Sequence, residues 1–556
     1  MPKSLISSGL FAVLALCLPL VAPHSARSAT PASAPVALEG QVSSADEGAM
    51  EGVLVSATKA QSTITVTVVS DAKGHYSFPA SRLGPGHYFL AIRAVGYELD
   101  GFPTAEVDAG KPTTANLPLH KTKELYTQLT NAEWMASAPG TEQQRQFLSN
   151  CTGCHTVQRI FQSTHTADEF QQIFARMSTY SPGSVPSHPQ PTVGSAQRGF
   201  GTPEQTKPYA EWLANVNLSK GDSWDYPLKT FPRPTGRATH VIITEYALKR
   251  PEAQPHDVIV APDGMVWYSD FARQYIGSLD PKTGKVTDYS LPLIKPGFPT
   301  GTLDLEPDPT GNLWISLMYQ TGVARFDRKT KKFTIYPLPK EWQADHTQES
   351  MVTPTYASVD GKVWSNNQDT HETLRLDVAS GKWDDLGTVK DASGHAINAY
   401  GMPSDHENNL YMLGFGGTDV GKLDAKTGKL VIYPTPTPYS RPRRGRVDGD
   451  DNLWFAEYNG NAIAKFDAKT EKIAEWKVPT PYFDPYDVVR AKNGEVWAGS
   501  MQTDQVVRLD PKTGTFVEYL LPHDTNIRRV FVDNSTGALW VGSNHGAAIV
   551  KVEPLD

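Results

Sequence analysis

Cysteine is the scarcest informative residue in this chain, with three in 556 residues. Cys17 falls in an apolar leader, which leaves Cys151 and Cys154 as the thiols of the exported chain, and this scarcity avoids competing disulfides in an oxidising compartment. There is no second CxxC, so a four-ligand zinc site lacks its other donors. Beyond the leader, no stretch approaches the roughly 18 apolar residues that a membrane span needs. Positive charge is also in deficit, at 52 Lys and Arg against 60 Asp and Glu, and this argues against a nucleic-acid partner. No low-complexity tract dominates.

The leader has Lys3, an apolar run from Leu10 to Ala22 interrupted by Pro19, and small residues around Ala26 and Ser28. This layout predicts a signal peptide over residues 1–28, with a cut before Ala29 or nearer Ala34, and a periplasmic location. Its removal takes away Lys3 and Arg27 and no acid, so the exported chain is more acidic still. Leu16 before Cys17 is too bulky for a lipoprotein anchor.

Cys151, Thr152, Gly153, Cys154 and His155 form a CxxCH. Two thiols three positions apart suit thioether bonds to the two vinyl groups of one c-type haem, and the adjoining histidine suits the proximal iron position. The cofactor expected is one covalent haem c. Met177 is the candidate second iron ligand, because a thioether raises the potential of the iron. His165, His188 and an open position are the alternatives.

The fold class read from the sequence is multidomain and mainly β: a β-sandwich over 35–120, a small all-α domain over 121–218, a linker over 219–238 and a seven-bladed propeller over 239–556. From Val36 to Leu119, short alternating runs separated by turns such as Asp71 to Gly74 predict a small antiparallel sandwich. Gly40-Gln41-Val42, Gly74 to Phe78, Gly86-His87-Tyr88 and Gly96-Tyr97 resemble the carboxypeptidase regulatory-like (transthyretin-like) family, which implies a bracing role without catalysis. Residues Glu142 to Leu148, Thr166 to Met177 and Pro203 to Val216 follow helical spacing. Short helices around a CxxCH resemble the class I cytochrome c fold.

From Thr239 onward, a turn pair followed by an aromatic recurs at Trp267, Trp314, Trp364, Tyr411, Trp454, Trp497 and Trp540, at intervals of 43 to 50 residues. A second turn, as in Asp280-Pro281-Lys282-Thr283-Gly284, completes each repeat. This predicts four-stranded blades in a ring, with Val241 to Tyr246 or the strand before it supplying the outer strand of the last blade. The repeats resemble the virginiamycin B lyase (streptogramin lyase) family. That resemblance implies a divalent cation held with His and Glu near the closing blades, where this chain has Tyr486, Arg529 and Ser543. The nearest match in type is His256 with Asp270.

Strand alternation places the opening of each innermost strand and the loop after each repeat aromatic on one face. That face gathers His256, Leu303, Thr353, Tyr400, Arg443, Tyr486, Arg528 and Arg529 with Asp270, Asn367, Glu457, Asn459, Gln502, Asn544 and His545, and with Arg273 and His371 slightly beyond. His256 with Asp270 is the acid–base candidate. Arg443, Arg444, Arg528 and Arg529 are candidates for holding an anionic or quinonoid substrate, and Glu457 for a base or a ligand to a divalent cation. The competing reading is that Arg and Glu pair to plug the channel and leave a filled structural core.

Three functions follow from these pieces. One is a periplasmic electron-transfer protein, with a small molecule oxidised at the ring or with a partner electron donor or acceptor protein. The second is a metal-dependent lyase or hydrolase with an accessory haem, and the third a non-catalytic docking protein.

Overall fold

The computed structural model describes residues 35–194, 200–343, 345 and 349–556. The expected signal peptide and Cys17 lie outside them. Mainly β architecture dominates: an N-terminal sandwich, five α-helices among the described residues, and a C-terminal ring of four-stranded sheets.

Six blades are separate antiparallel sheets in simple sequence order, from Pro255–Val260 through Thr515–Leu520. The seventh combines Val530–Asp533, Ala538–Ser543 and Ala548–Pro554 with Val241–Ala247, the strand that precedes the first blade. Innermost strands touch in succession and the last meets the first, so the ring is closed. Each repeat aromatic is buried at the middle of its blade. Cross-strand cations cover several of them, with Arg375 at 4.3 Å from the Trp364 ring and Lys551 at 5.5 Å from Trp540. Outer-strand aromatics stack on others, as Tyr336 does on Trp314 at 5.5 Å. The recurring aromatic therefore holds the second, third and fourth strands together through cross-strand packing.

The sandwich and the ring share a sheet. Ile64–Val69 pairs antiparallel with Val241–Ala247, with Val68 opposite Ile242 and Val66 opposite Thr244, so that one eight-stranded sheet runs from the last blade into the sandwich. The apolar alternation in both strands buries each on two faces. This pairing also covers the edge that the closing strand would otherwise present. The sandwich is not purely antiparallel, as its turn pattern predicts: Val36–Ser44 pairs antiparallel with His75–Pro79 but parallel with Leu117–Lys121. The long excursion between those two strands provides the crossover that parallel pairing requires.

The helices Asn131–Ser137, Glu142–Phe147, Ala167–Met177 and Pro203–Val216 each open on a threonine capping box, as in Thr166 with Glu169. Gln158–Phe161 is a single short turn. Their core does not stand apart as an all-α unit, because Trp224 and Tyr226 from the 219–238 segment and Tyr482 from the ring pack into it. The expected linker is therefore a fixed strap. Trp224 meets Trp134 at 5.0 Å, the Phe231 amide donates to Glu133, and Arg233 pairs with Glu47. Its aromatics give it enough apolar area to stay bound, which a flexible linker lacks.

Proline at Val66 would remove a ladder hydrogen bond from the shared sheet and cost about 3 kcal/mol or more. Val66→Pro is expected to lower the melting temperature and to speed amide exchange across Val241–Ala247. Unchanged protection of that strand would show that the ring closes independently of the sandwich.

Candidate functional site

The CxxCH segment sits against the mouth of the ring. Its backbone follows the one-turn helix Leu148–Asn150, and Thr152 is fully buried. Four side chains from the ring's last two blades hold it. His545 Nε2 and Asn526 Nδ2 meet the Thr152 carbonyl at 3.0 and 3.2 Å, Arg528 Nη2 donates to the Gly153 carbonyl at 3.2 Å, and Gln502 donates to the Thr152 hydroxyl at 3.0 Å. Burial holds His545 near a pKa of about 4, so the ring is neutral and donates through Nε2. Ser149 donates to Asp484 at 2.9 Å, and burial pushes that carboxyl up to about 7.

On the far side of the motif lies a cavity of about 380 Å³. Cys151, Cys154, His155 and Met177 all line it, with Phe170, Ile173 and Phe174 among its apolar walls. Cys151 and Cys154 are thiols, and burial pushes Cys151 up to about 12. His155 Nδ1 lies 2.8 Å from the Thr156 carbonyl. Only an N–H satisfies a carbonyl, so Nε2 is the unprotonated nitrogen, the state in which imidazole binds a metal. Burial also lowers the pKa of His155 and keeps the ring neutral. Two thiols, an anchored imidazole and a thioether around an apolar cavity fit a covalent haem. His165 also lines this cavity, whereas His188 does not. Among the described residues, no group of three or more His, Cys, Asp or Glu is arranged to hold a metal ion, so the CxxC lacks zinc partners.

A second cavity, of about 720 Å³, lies between the motif and the ring face. Asn150, Cys154 and Phe200 line both cavities. On the ring side the second cavity presents Tyr400, Phe415, Tyr458, Arg441, Arg443 and Arg528. Five inner strands carry a register shift near their openings, as between Pro255 and Val258 and between Pro442 and Gly445. Such bulges re-aim consecutive side chains. The result is two layers of charge. Arg443 and Arg528 line the cavity, while Arg444 and Arg529 lie buried with Asp257, Asp304 and Glu306. Burial pushes the Asp257 carboxyl up, but Arg444 and Arg529 outweigh it and hold the group well below the usual carboxylate range. Arginine and carboxylate pair in this lower layer mainly through Asp257 and Asp304 rather than through Glu, and the upper arginines remain at the cavity.

A line of hydrogen bonds joins the layers. His256 Nδ1 lies 2.7 Å from Asp257 and Nε2 lies 3.0 Å from the Tyr486 hydroxyl, which in turn meets the Tyr400 hydroxyl. Burial depresses His256 to about 3, so it is neutral. With Asp257 ionised, Nδ1 carries the proton, Tyr486 donates to Nε2, and Tyr400 must donate to Tyr486. The Tyr400 oxygen is therefore an acceptor toward the cavity.

The pairing of His256 with Asp270 does not form. Asp270 stands opposite Pro255 in the ladder, and the bulge carries His256 away from it; Asp270 binds Arg250 and the amides of Gln254 and Ala272 instead. Glu457 is fully buried and lines neither cavity, and burial with the neighbouring Glu475 carboxylate pushes it up to about 8. Gln502 and His545 clamp the motif, Arg273 pairs with Glu252, and Asn459 accepts from Arg441 at 3.4 Å. No Asp or Glu lines the ring cavity and three arginines do, so its donor set does not fit a divalent cation. Asp257 and Asp304 escape sequence reading. The available signal was repeat alignment, which puts an acid directly after the opening residue at Asp257, Asp304 and Asp487 and arginine there at Arg444.

Because Glu457 holds its proton longer folded than unfolded, the stability it contributes is intact below the ordinary carboxyl range and is lost as pH rises through about 8. Glu457→Gln is expected to gain melting temperature relative to the parent between pH 5 and pH 9. Parallel curves over that window would rule out a neutral carboxyl at this position.

Residues 387–555 match the virginiamycin B lyase family and residues 37–120 match the carboxypeptidase regulatory-like domain. Among solved structures, a streptogramin B lyase is 23% identical, with 57% of this chain and 99% of that chain covered at a TM-score of 0.48. A catalytically inactive virginiamycin B lyase from Staphylococcus aureus with quinupristin is 20% identical, with 56% and 99% covered at the same TM-score. Comparison with curated proteins found no match. The chain thus joins a carboxypeptidase regulatory-like domain to a virginiamycin B lyase-like propeller, with the CxxCH segment between them.

Proposed function

We propose that this protein is an exported, periplasmic electron-transfer protein. Cys151 and Cys154 would hold one haem c covalently, His155 and Met177 would be the side chains offered to its iron, and the group would serve to oxidise a small molecule held between the CxxCH motif and the ring. The observation that carries the reading is that Cys154 lines both cavities. A group held on Cys154 would be attached at the wall shared with the cavity on the ring face.

When bound, the haem supplies one-electron acceptance and donation. The chain's own residues do the rest. Phe271, Phe415 and Tyr458 give the ring cavity aromatic walls, and Tyr400 accepts a hydrogen bond from a substrate hydroxyl because its own proton is committed to Tyr486. His256 acts as the group that orients Tyr486. It is a poor base at this position, since burial and the nearby Arg528 and Arg444 oppose its protonation. The His545, Asn526, Arg528 and Gln502 contacts fix the motif against the ring, so that donor and acceptor stay at one separation. The external acceptor would be a soluble carrier protein, and the substrate's protons would pass to solvent.

The test is the full chain produced with cytochrome maturation and examined by visible spectroscopy. One haem should resist acid–acetone extraction, Cys154→Ser should lose covalent attachment, and Met177→Ala should change the spectrum of the reduced form. In an anaerobic screen of hydroxylated compounds, an active one should sharpen the visible bands. Tyr400→Phe should slow that reduction about tenfold or more while leaving reduction by dithionite unchanged. A chain that carries no covalent haem overturns the reading.

A further inference from the structure

We infer that the cavity between the CxxCH motif and the ring is built for a small aromatic carboxylate. The inference rests on the proposal that this cavity holds the substrate, and it names the class.

Three guanidinium groups, those of Arg441, Arg443 and Arg528, line the cavity, and no Asp or Glu does. Among the described residues none of the three has a carboxylate within ion-pair distance, whereas Arg444, Arg446 and Arg529 directly beneath are all paired with acids. The Asp484 carboxyl, whose charge reaches Arg441, accepts a hydrogen bond from Ser149. In a chain of formal net charge −8, a cavity holding only cations is built against the average.

Aromatic rings compensate these cations in part. Arg443 lies 4.0 Å from the Tyr486 ring, 4.3 Å from Phe415, 4.6 Å from Tyr458 and 5.3 Å from Tyr400. Arg441 lies 3.9 Å from Phe415, and Arg528 lies 4.7 Å from Phe271. Stacking occupies the faces of a guanidinium and leaves its N–H donors at the edge; Arg528 spends two of them on Asn526 and the Gly153 carbonyl, and Arg443 bonds the Tyr486 hydroxyl with one. The buried Arg443 Nε has no hydrogen-bond partner among the described residues. A planar carboxylate supplies two coplanar acceptors to such a fork. Arg441 is held at φ 55, a left-handed conformation unfavourable for an arginine, and there its Nε donates to the Phe415 carbonyl at 3.0 Å. The aromatic walls and a volume of about 720 Å³ suit a flat ring rather than a bare inorganic anion.

Isothermal titration of the full chain with 4-hydroxybenzoate and with neutral 4-hydroxybenzyl alcohol tests this. The acid is expected to bind about tenfold tighter or more. Arg443→Gln should abolish the preference without lowering the melting temperature, and Arg443→Lys should restore part of it. Equal affinity for the two probes, no binding of either, or a preference that survives Arg443→Gln overturns the inference. Haem carboxylates are the other source of the same chemistry. If the acid binds only when Cys151→Ser and Cys154→Ser remove the covalent group, the arginines serve those carboxylates and the inference falls. Haem reduction reads separately: binding of the acid with no substrate ever reducing the haem sinks the electron-transfer proposal alone, and reduction by neutral compounds without acid binding sinks this one alone.

Discussion

Everything at the site depends on how the ring grips two backbone carbonyls. Thr152 and Gly153 are the two residues between the cysteines, and their carbonyls end against His545, Asn526 and Arg528. A tight turn leaves such carbonyls without partners in its own segment, and buried ones must be satisfied. Here the partners come from the last blades, so the local geometry of the motif is completed by residues more than 350 positions away. Loss of these donors would strand polar groups in a dry interface, at about 1–3 kcal/mol each. The same contacts bring Cys154 to the wall of the ring cavity, so the packing requirement and the functional arrangement coincide.

The lower layer of the ring obeys a related constraint. Asp257 and Asp304 are fully enclosed, and each is bound by both Arg444 and Arg529. Buried charges of this kind add little net stability against an apolar core, yet breaking one partnership is costly, at about 3–5 kcal/mol. Their effect is directional. With Asp257 held ionised, the protons of His256, Tyr486 and Tyr400 all face inward along the line, and the exposed end of that line is an oxygen acceptor. A charge network that resembles filler therefore sets the polarity of a hydroxyl at the cavity wall.

Much of this was legible in the sequence, for identifiable reasons. The repeat aromatics mark the blades because each strand set must bury one large ring at its centre, and Val241 to Tyr246 were legible as closure because the last repeat is a strand short. Helical spacing of apolar residues marked three of the helices, and the structure shows a threonine capping box at the start of each. Asn131–Ser137 was missed because its apolar residues Trp134 and Met135 are adjacent and give no clear period, although Thr130 and Glu133 form the box. The shared sheet was not legible, since nothing local distinguishes a strand that pairs within its own domain from one that also pairs outside it. The pairing of His256 with Asp270 failed because period-two reasoning assumes an unbroken ladder, and the bulge at Pro255 breaks it. Arg443 was correctly placed on the face, but its separation from Arg444 into a different electrostatic layer follows from the corresponding bulge between Pro442 and Gly445.

That separation explains why the cavity keeps its charge. An arginine taken out of water needs compensation, and the ring has acids in reach for Arg444 and Arg529 but aromatic faces for Arg443. The rings restrict its rotamers and exclude water while leaving part of the donor edge uncommitted. Binding then costs little side-chain entropy, and the desolvation has already occurred on folding. Acids in the upper layer would have quenched the cations and closed the cavity from within. With acids one residue further along three of the inner strands, at Asp257, Asp304 and Asp487, the lower layer stabilises the ring and the upper layer keeps its cations uncompensated by carboxylates beside Cys154.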